Sequence, residues 1–166
     1  MTTVSVPGPL RAAELRRAFG CFPSGVVGLC ALVDAVPVGM AASSFTSVSL
    51  DPALVSVCVA KTSTTWPRLR DRARIGVSVL AADHEDACRS LAAKEGDRFA
   101  GLGWFAREHG SVFLDGAVAR LDCSVVEHLP AGDHDIVLLQ IHELDYETDA
   151  APLVFHRSGF PRLVAG

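Results

Sequence analysis

Short apolar runs, with no helical segments of crossover length between them, constrain this chain most. They include VGLCALV at 27–33, LVSVCVA at 54–60 and RIGVSVL at 74–80. In the run at 118–126, Arg120, Asp122 and Ser124 alternate with Leu121, Cys123 and Val125, so one face seeks a core and the other seeks water. The pattern predicts strands at 26–33, 36–42, 54–60, 74–80, 118–126 and 135–144, with a short last one near 153–155. The first two form a hairpin around Asp34-Ala35. Helices fall only at the margins. Leu15, Ala18, Phe19 and Phe22 have helical spacing after Pro9, which predicts a helix over 10–21 with one face packed on the sheet, stopped by Pro23-Ser24-Gly25. A short helix is expected at 66–72. Another is expected at 84–93, capped by Asp83 and carrying Ala87, Cys88 and Leu91 on one face. Without a βαβ rhythm the expected fold is mainly β, a small closed antiparallel barrel of about six strands with peripheral helices.

Size and charge narrow the function. A chain of 166 residues suits one domain, here 1–166 with a core of about 12–163, and buries roughly 70% of its unfolded surface. Hydrophobic residues make up 49% and charged ones 20%, more apolar material than one core of this size hides, so a second subunit is expected to cover some of it. The net charge of −4 and the absence of a basic face exclude a nucleic-acid partner. Arg68, Arg70, Arg72 and Arg74 are scattered around their helix and read as its solvated end. Five cysteines, an odd number with no C-x-x-C pair, indicate a reducing cytoplasm and buried thiols, with Cys30, Cys58 and Cys123 inside apolar strand patterns. No apolar run reaches membrane-spanning length and no secretory leader is visible. No residue is assigned to a metal.

The segment GMAASSFTSVSLDP at 39–52 puts small residues and hydroxyls where a core would want bulk. Ala41, Ala42, Ser43 and Ser44 let a planar, phosphate-bearing ligand approach the backbone, and Ser43, Ser44, Thr46, Ser47 and Ser49 offer short donors. The same composition also suits a polar turn. Across one strand lies a second hydroxyl-rich loop, AKTSTTWP at 60–67, where Ser63, Thr64 and Thr65 precede the Trp66 helix. Free N–H groups there favour an anion and Lys61 adds charge, although an ordinary helix cap has the same appearance. GLGWFA at 101–106 matches the dinucleotide fingerprint G-x-G-x-x-A, but no strand precedes it and two bulky aromatics occupy the place of the pyrophosphate, so a Rossmann site is excluded.

Taken in order, GMAASSFTSVSLDP, AKTSTTWP, DRFAG at 97–101 and GDH at 132–134 resemble the flavin reductase family, the small FMN-binding split-barrel partners of two-component flavin monooxygenases. The resemblance runs from about residue 15 to residue 163. It implies a six-stranded antiparallel split β-barrel that uses NADH or NADPH to reduce FMN or FAD, works as a homodimer near whose interface the flavin lies, and delivers reduced flavin to a monooxygenase. Related readings are a non-catalytic flavin carrier or sensor and a pyridoxamine-phosphate-oxidase-like FMN oxidase.

The resemblance assigns Met40, Ala41, Ala42, Ser43, Ser44, Ser47, Val48 and Ser49 to the flavin ring and ribityl chain. Lys61, Ser63, Thr64 and Thr65 fall to the phosphate, with Arg98 steadying it from the far side. His134, beside the nicotinamide, is the residue assigned to the reacting end, as an orienting or charge-balancing group. Hydride would pass directly from nicotinamide to flavin, which asks little proton chemistry of the protein. One departure concerns the C-terminal aromatic-glycine-aromatic pattern. Phe155-His156-Arg157-Ser158-Gly159-Phe160 has Ser158 where glycine is expected and Phe160 for a tyrosine, so a tyrosine hydroxyl contact is missing.

Overall fold

The computed structural model describes residues 9–164; positions 1–8 and 165–166 of the expected domain lie outside the described residues. In chain order the elements are α1 (Ala12–Phe19), β1 (Ser24–Gly25), β2 (Val27–Val33), β3 (Val36–Ala42), β4 (Thr46–Leu50), β5 (Ala53–Ala60), α2 (Trp66–Leu69) and β6 (Ile75–Val79). They continue with α3 (Glu85–Ala92), β7 (Trp104–Ala106), β8 (Val112–Leu114), β9 (Ala119–Ala131), β10 (His134–Tyr146) and β11 (Val154–Phe155). Seven strands form one antiparallel sheet in the order β3-β2-β6-β9-β10-β5-β4. Two small ladders, β1-β11 and β7-β8, flank it.

The two sheet edges, β3 and β4, are consecutive in the chain and only residues 43–45 separate them. This short link forces the edges together and curls the sheet into a barrel, yet no ladder joins β3 to β4 among the described residues. The expected closed barrel therefore has a split at this seam. Ser44 spans it, its hydroxyl accepting from the Cys58 N–H at 2.8 Å and donating to the Cys58 carbonyl at 3.1 Å.

The two-residue period sorts side chains between two cores. From β2, Val27, Leu29 and Ala31 enter the sheet interior with Val55, Val57 and Val59 of β5, where Trp66 and Leu69 of α2 pack with them. Cys30 faces the other way, toward Leu91 of α3, Phe99, Val112 and Leu114. Each fully buried side chain of this size contributes roughly 1.5–3 kcal/mol. Gly39 is required here, because a Cβ would stand 2.5 Å from the Cys30 sulfur and 3.0 Å from the Phe99 ring. Burial pushes the Cys30 and Cys123 thiols up to about 12, which removes them as nucleophiles.

All six predicted strands form, and the hairpin turns at Asp34 and Ala35, which take φ of 51° and 62° without glycine. Several details differ from expectation. β3 ends at Ala42 as expected, but the rest of the run at 39–52 is not all loop, because Thr46–Leu50 makes a seventh strand paired to β5. Serine and threonine lack the apolar alternation that marks a strand, but an edge strand tolerates them. Helix α1 is shorter than predicted and buries no residue; Phe19 and Phe22 are 69% and 77% exposed. Asp83 does not cap α3, whose N-cap is His84, with no side-chain cap bond. Cys58 is exposed because it takes the outward phase of β5 between Val57 and Val59. Arg74 is half-buried and sits 3.7 Å from the Asp122 carboxylate, so it does not belong to a solvated helix end. The segment after Gly103 runs into β7 and opens no helix, as the rejected fingerprint required. No described helix is long and apolar enough to cross a membrane.

Candidate functional site

One end of the seam holds a cavity of about 280 Å³. Met40 and Ala41 of β3 form one wall, Thr62 to Thr65 a second, and Leu91 and Ala92 of α3 a third, with Arg98 at the rim. Arg98 closes the arrangement: its Nη1 donates to the Gly39 carbonyl at 2.9 Å and to Thr65 Oγ1 at 2.8 Å. One guanidinium thus ties β3 to the hydroxyl loop. The loop is also braced from behind. The Trp66 N–H donates to Ser63 Oγ at 3.1 Å, and the buried Trp66 indole Nε1–H donates to His128 Nε2 at 3.1 Å. Because α2 is a single turn of four residues, its dipole adds little. The donors this cavity offers an anion are Arg98 and the hydroxyls. No carboxylate lines this cavity, so its donor set fits a phosphate ester.

The predicted residues separate into four groups. Met40, Ala41, Ser63, Thr64, Thr65 and Arg98 share the cavity just described. Ala42 and Ser43 line an adjoining cavity of about 280 Å³ with Phe155, Ser158 and Phe160. Ala41 and Ala92 line both cavities. Ser44 is spent on the seam, and Ser47, Val48 and Ser49 lie along β4, away from the described cavities.

Lys61 and His134 form the fourth group, where the ends of β5 and β10 pair. Lys61 Nζ donates to the Gly132 carbonyl at 2.7 Å and lies 3.9 Å from Asp135 Oδ1, so its charge is directed at the β9-β10 turn. The turn has Gly132 at φ +67°, where a side chain would be strained. It presents His134, whose Nδ1 donates to Asp133 Oδ1 at 2.7 Å. That hydrogen bond, with the charge beside it, holds the Asp133 carboxyl below its ordinary value. It also fixes the ring orientation and leaves Nε2 to face outward. Leu91 and Ala92 were not expected at the site. Leu91 shows in the sequence only as one position on the apolar face of α3, and nothing local says what that face covers.

The flavin reductase like domain family matches residues 19–163. A flavin reductase of Pseudomonas putida is 37% identical over 146 residues, covering 87% of this chain and 86% of that protein. The reductase subunit HsaB of a flavin-dependent monooxygenase from Rhodococcus jostii is 34% identical, covering 89% and 75%. The Streptomyces globisporus NADH:FAD oxidoreductase SgcE6, solved with NAD and FAD fragments, superposes with a TM-score of 0.89 at 35% identity, covering 97% of this chain and 98% of that one. With the family matched over most of its length and a split, phosphate-suited seam in its fold, this chain belongs to the flavin reductase like family.

Proposed function

We propose that the chain acts as one unit over residues 1–166, an NAD(P)H-dependent flavin reductase that supplies reduced FMN or FAD to a separate monooxygenase. The observation that carries this reading is the cavity free of carboxylates, in which Arg98 joins β3 to the hydroxyl loop. Ser63, Thr64, Thr65 and Arg98 receive the flavin phosphate. Met40, Ala41, Ala42 and Ser43 provide the flat wall on which the ring lies, and Ser44 fixes that wall to β5. Ser47, Val48 and Ser49 lie on β4 outside these cavities and take no part in this placement. When bound, the pyridine nucleotide supplies a hydride that the flavin accepts. The chain's own task is to hold the two rings in register and keep charge near them balanced. Lys61 holds the turn that carries His134, and His134 orients the second ligand. Free thiols at all five cysteines suit a reducing cytoplasm.

Purified protein is expected to oxidise NADH or NADPH in the presence of FMN or FAD well above the rate with free flavin. Tight flavin binding without turnover would instead identify a carrier. A yellow protein that oxidises an amine without NAD(P)H would identify an oxidase.

His134→Ala is expected to raise KM for NAD(P)H or slow hydride transfer while the flavin Kd stays within twofold, the pattern of a second-substrate residue. Loss of flavin binding with the nicotinamide constant intact would exchange the two ligands' places. Exposed Phe19, Phe22, Leu50, Leu144 and Tyr146 indicate a homodimer. Light scattering is expected to give twice the chain mass at micromolar concentration, and the monomer mass there would remove this part of the reading.

A further inference from the structure

The hydroxyl wall of the cavity beside Arg98, residues 62–65, is held to the β9-β10 hairpin at both of its ends. At the first end the Lys61 N–H donates to the Asp133 carbonyl at 3.0 Å and Lys61 Nζ to the Gly132 carbonyl at 2.7 Å. At the second end stands Trp66. Its N–H donates to Ser63 Oγ, and its indole Nε1–H donates to Nε2 of His128 on β9 at 3.1 Å. Between these points Thr65 accepts from the Arg68 N–H at its carbonyl and from Arg98 at its hydroxyl.

The two anchors differ in chemistry. The first uses only donors on backbone carbonyls, whereas the second needs an unprotonated ring nitrogen. An indole N–H can only donate, so Nε2 of His128 carries no proton and the ring hydrogen sits on Nδ1. An imidazolium has two N–H donors and no acceptor. The two rings meet edge-on with centroids 5.8 Å apart. Trp66 is 5% exposed, and its indole N–H has no other acceptor among the described residues. His128 is exposed, so a proton reaches it from solvent without any opening of the core. Around it, β10 sets Val137 opposite and Asp135 two residues further along, with Lys61 of the β5 end 3.9 Å from Asp135. Glu127 takes the opposite phase of β9, Arg68 and Arg70 lie in and just after α2, and Asp133 is engaged by His134. None of these makes an ion pair with His128 among the described residues.

We propose that His128 is a positioning residue that makes the cavity beside Arg98 acid-sensitive: unprotonated, it holds the Trp66 indole and with it the Ser63–Thr65 wall, and a proton on Nε2 releases both. The proposal rests on the flavin reading only for the ligand that feels the release. Because the bond is made to the unprotonated ring, the held wall prevails at higher pH and is lost as pH falls. A net hydrogen bond of this kind corresponds to about two- to tenfold in an equilibrium constant, and flavin affinity is expected to fall by a factor in that range.

The test measures the FMN Kd at about pH 8 and about pH 5.5, on either side of the usual imidazole range, in the unaltered protein, His128→Gln and Trp66→Phe. The FMN phosphate gains a proton over the same interval, and His134 and Asp133 are present in all three proteins, so only differences between the proteins report on His128. His128→Gln keeps a neutral acceptor. Its Kd should match the unaltered protein within about twofold at the higher pH and should lose at least about twofold less on acidification. Trp66→Phe keeps a ring without the donor, and should already bind FMN more weakly at the higher pH, with the same shallow slope as His128→Gln. In NMR spectra of the ligand-free unaltered protein, the Trp66 indole N–H and the Ser63, Thr64 and Thr65 amides should move with the midpoint of the His128 ring. Equal acid losses in the unaltered protein and His128→Gln overturn the proposal. So do loop amides that ignore the His128 titration, a result that needs no variant to fold. If those resonances follow His128 in a protein that binds no FMN at either pH, the flavin reading fails and the control of the loop by His128 stands.

Discussion

Arg98→Ala is expected to weaken flavin binding by at least tenfold, the largest binding effect of any single substitution in the chain. Its guanidinium is half-buried, donates to both the Gly39 carbonyl and Thr65 Oγ1, and is the only charged side chain lining the cavity with Met40 and Leu91, although a second cavity that shares Thr64, Thr65 and Arg98 also has Arg68, Lys94, Glu95 and Asp97. A charge-assisted contact to a phosphate contributes about 1.5–3 kcal/mol, which corresponds to roughly 10- to 150-fold in Kd. Removal also releases the brace between β3 and the hydroxyl loop, so the effect should lie toward the upper end. Arg98→Lys retains the charge without the planar guanidinium, whose other nitrogens stay available to a phosphate while Nη1 holds Gly39 and Thr65, and should fall between Arg98→Ala and the unaltered protein. Fluorescence titration with FMN checks both variants. An unchanged Kd in Arg98→Ala would remove the phosphate assignment and leave the residue a structural clamp.

The largest expected stability effect belongs to Gly76→Ala. Gly76 is buried in β6 directly beneath β8, and a Cβ there would collide with the backbone of Val112, which cannot move aside as a flexible side-chain end can. Overpacking of this kind typically costs about 1–3 kcal/mol and occasionally more. With backbone as the obstacle, about 3 kcal/mol is expected, which lowers Tm by roughly 6–12 °C in a chain of this length. Gly25→Ala is the control, since a Cβ there meets nothing within 4 Å, and it should stay within about 0.5 kcal/mol. Thermal unfolding of the two proteins decides the matter. Equal Tm values would mean that β8 can lift from β6 at little cost.

The proposed division of labour between Arg98 and Lys61 also shows where sequence reading stops. Both are cations near hydroxyl-rich motifs, and sequence position favours Lys61 as the phosphate ligand because it precedes Ser63 by two residues. The register of β5 against β10 sets His134 opposite Ala60 and thereby draws Lys61 to the Gly132 carbonyl. Arg98 reaches the loop from 33 residues away. A two-residue offset along the chain determined less than a strand register did.

What the sequence determined by itself was whatever has a local period or a local steric rule. Six strands, the Asp34-Ala35 turn, the buried face of α3 and the antiparallel character of the sheet follow from alternation and from the absence of crossover helices. The order of the family motifs added the identity of the seam. Missed elements lack such a signal: β4 is made largely of serine and threonine, and β7 and β8 are three residues each, too short for any period to be recognised. The exposed apolar face of α1 was unreadable for a different reason. Periodicity shows that a face is apolar but says nothing of what lies against it, and in this chain Phe19 and Phe22 stay largely exposed. Only the tertiary structure decided that two cavities meet at Ala41 and Ala92. Arg98 to Gly39 across 59 residues and Arg157 to Gly20 join segments that lie far apart in the chain.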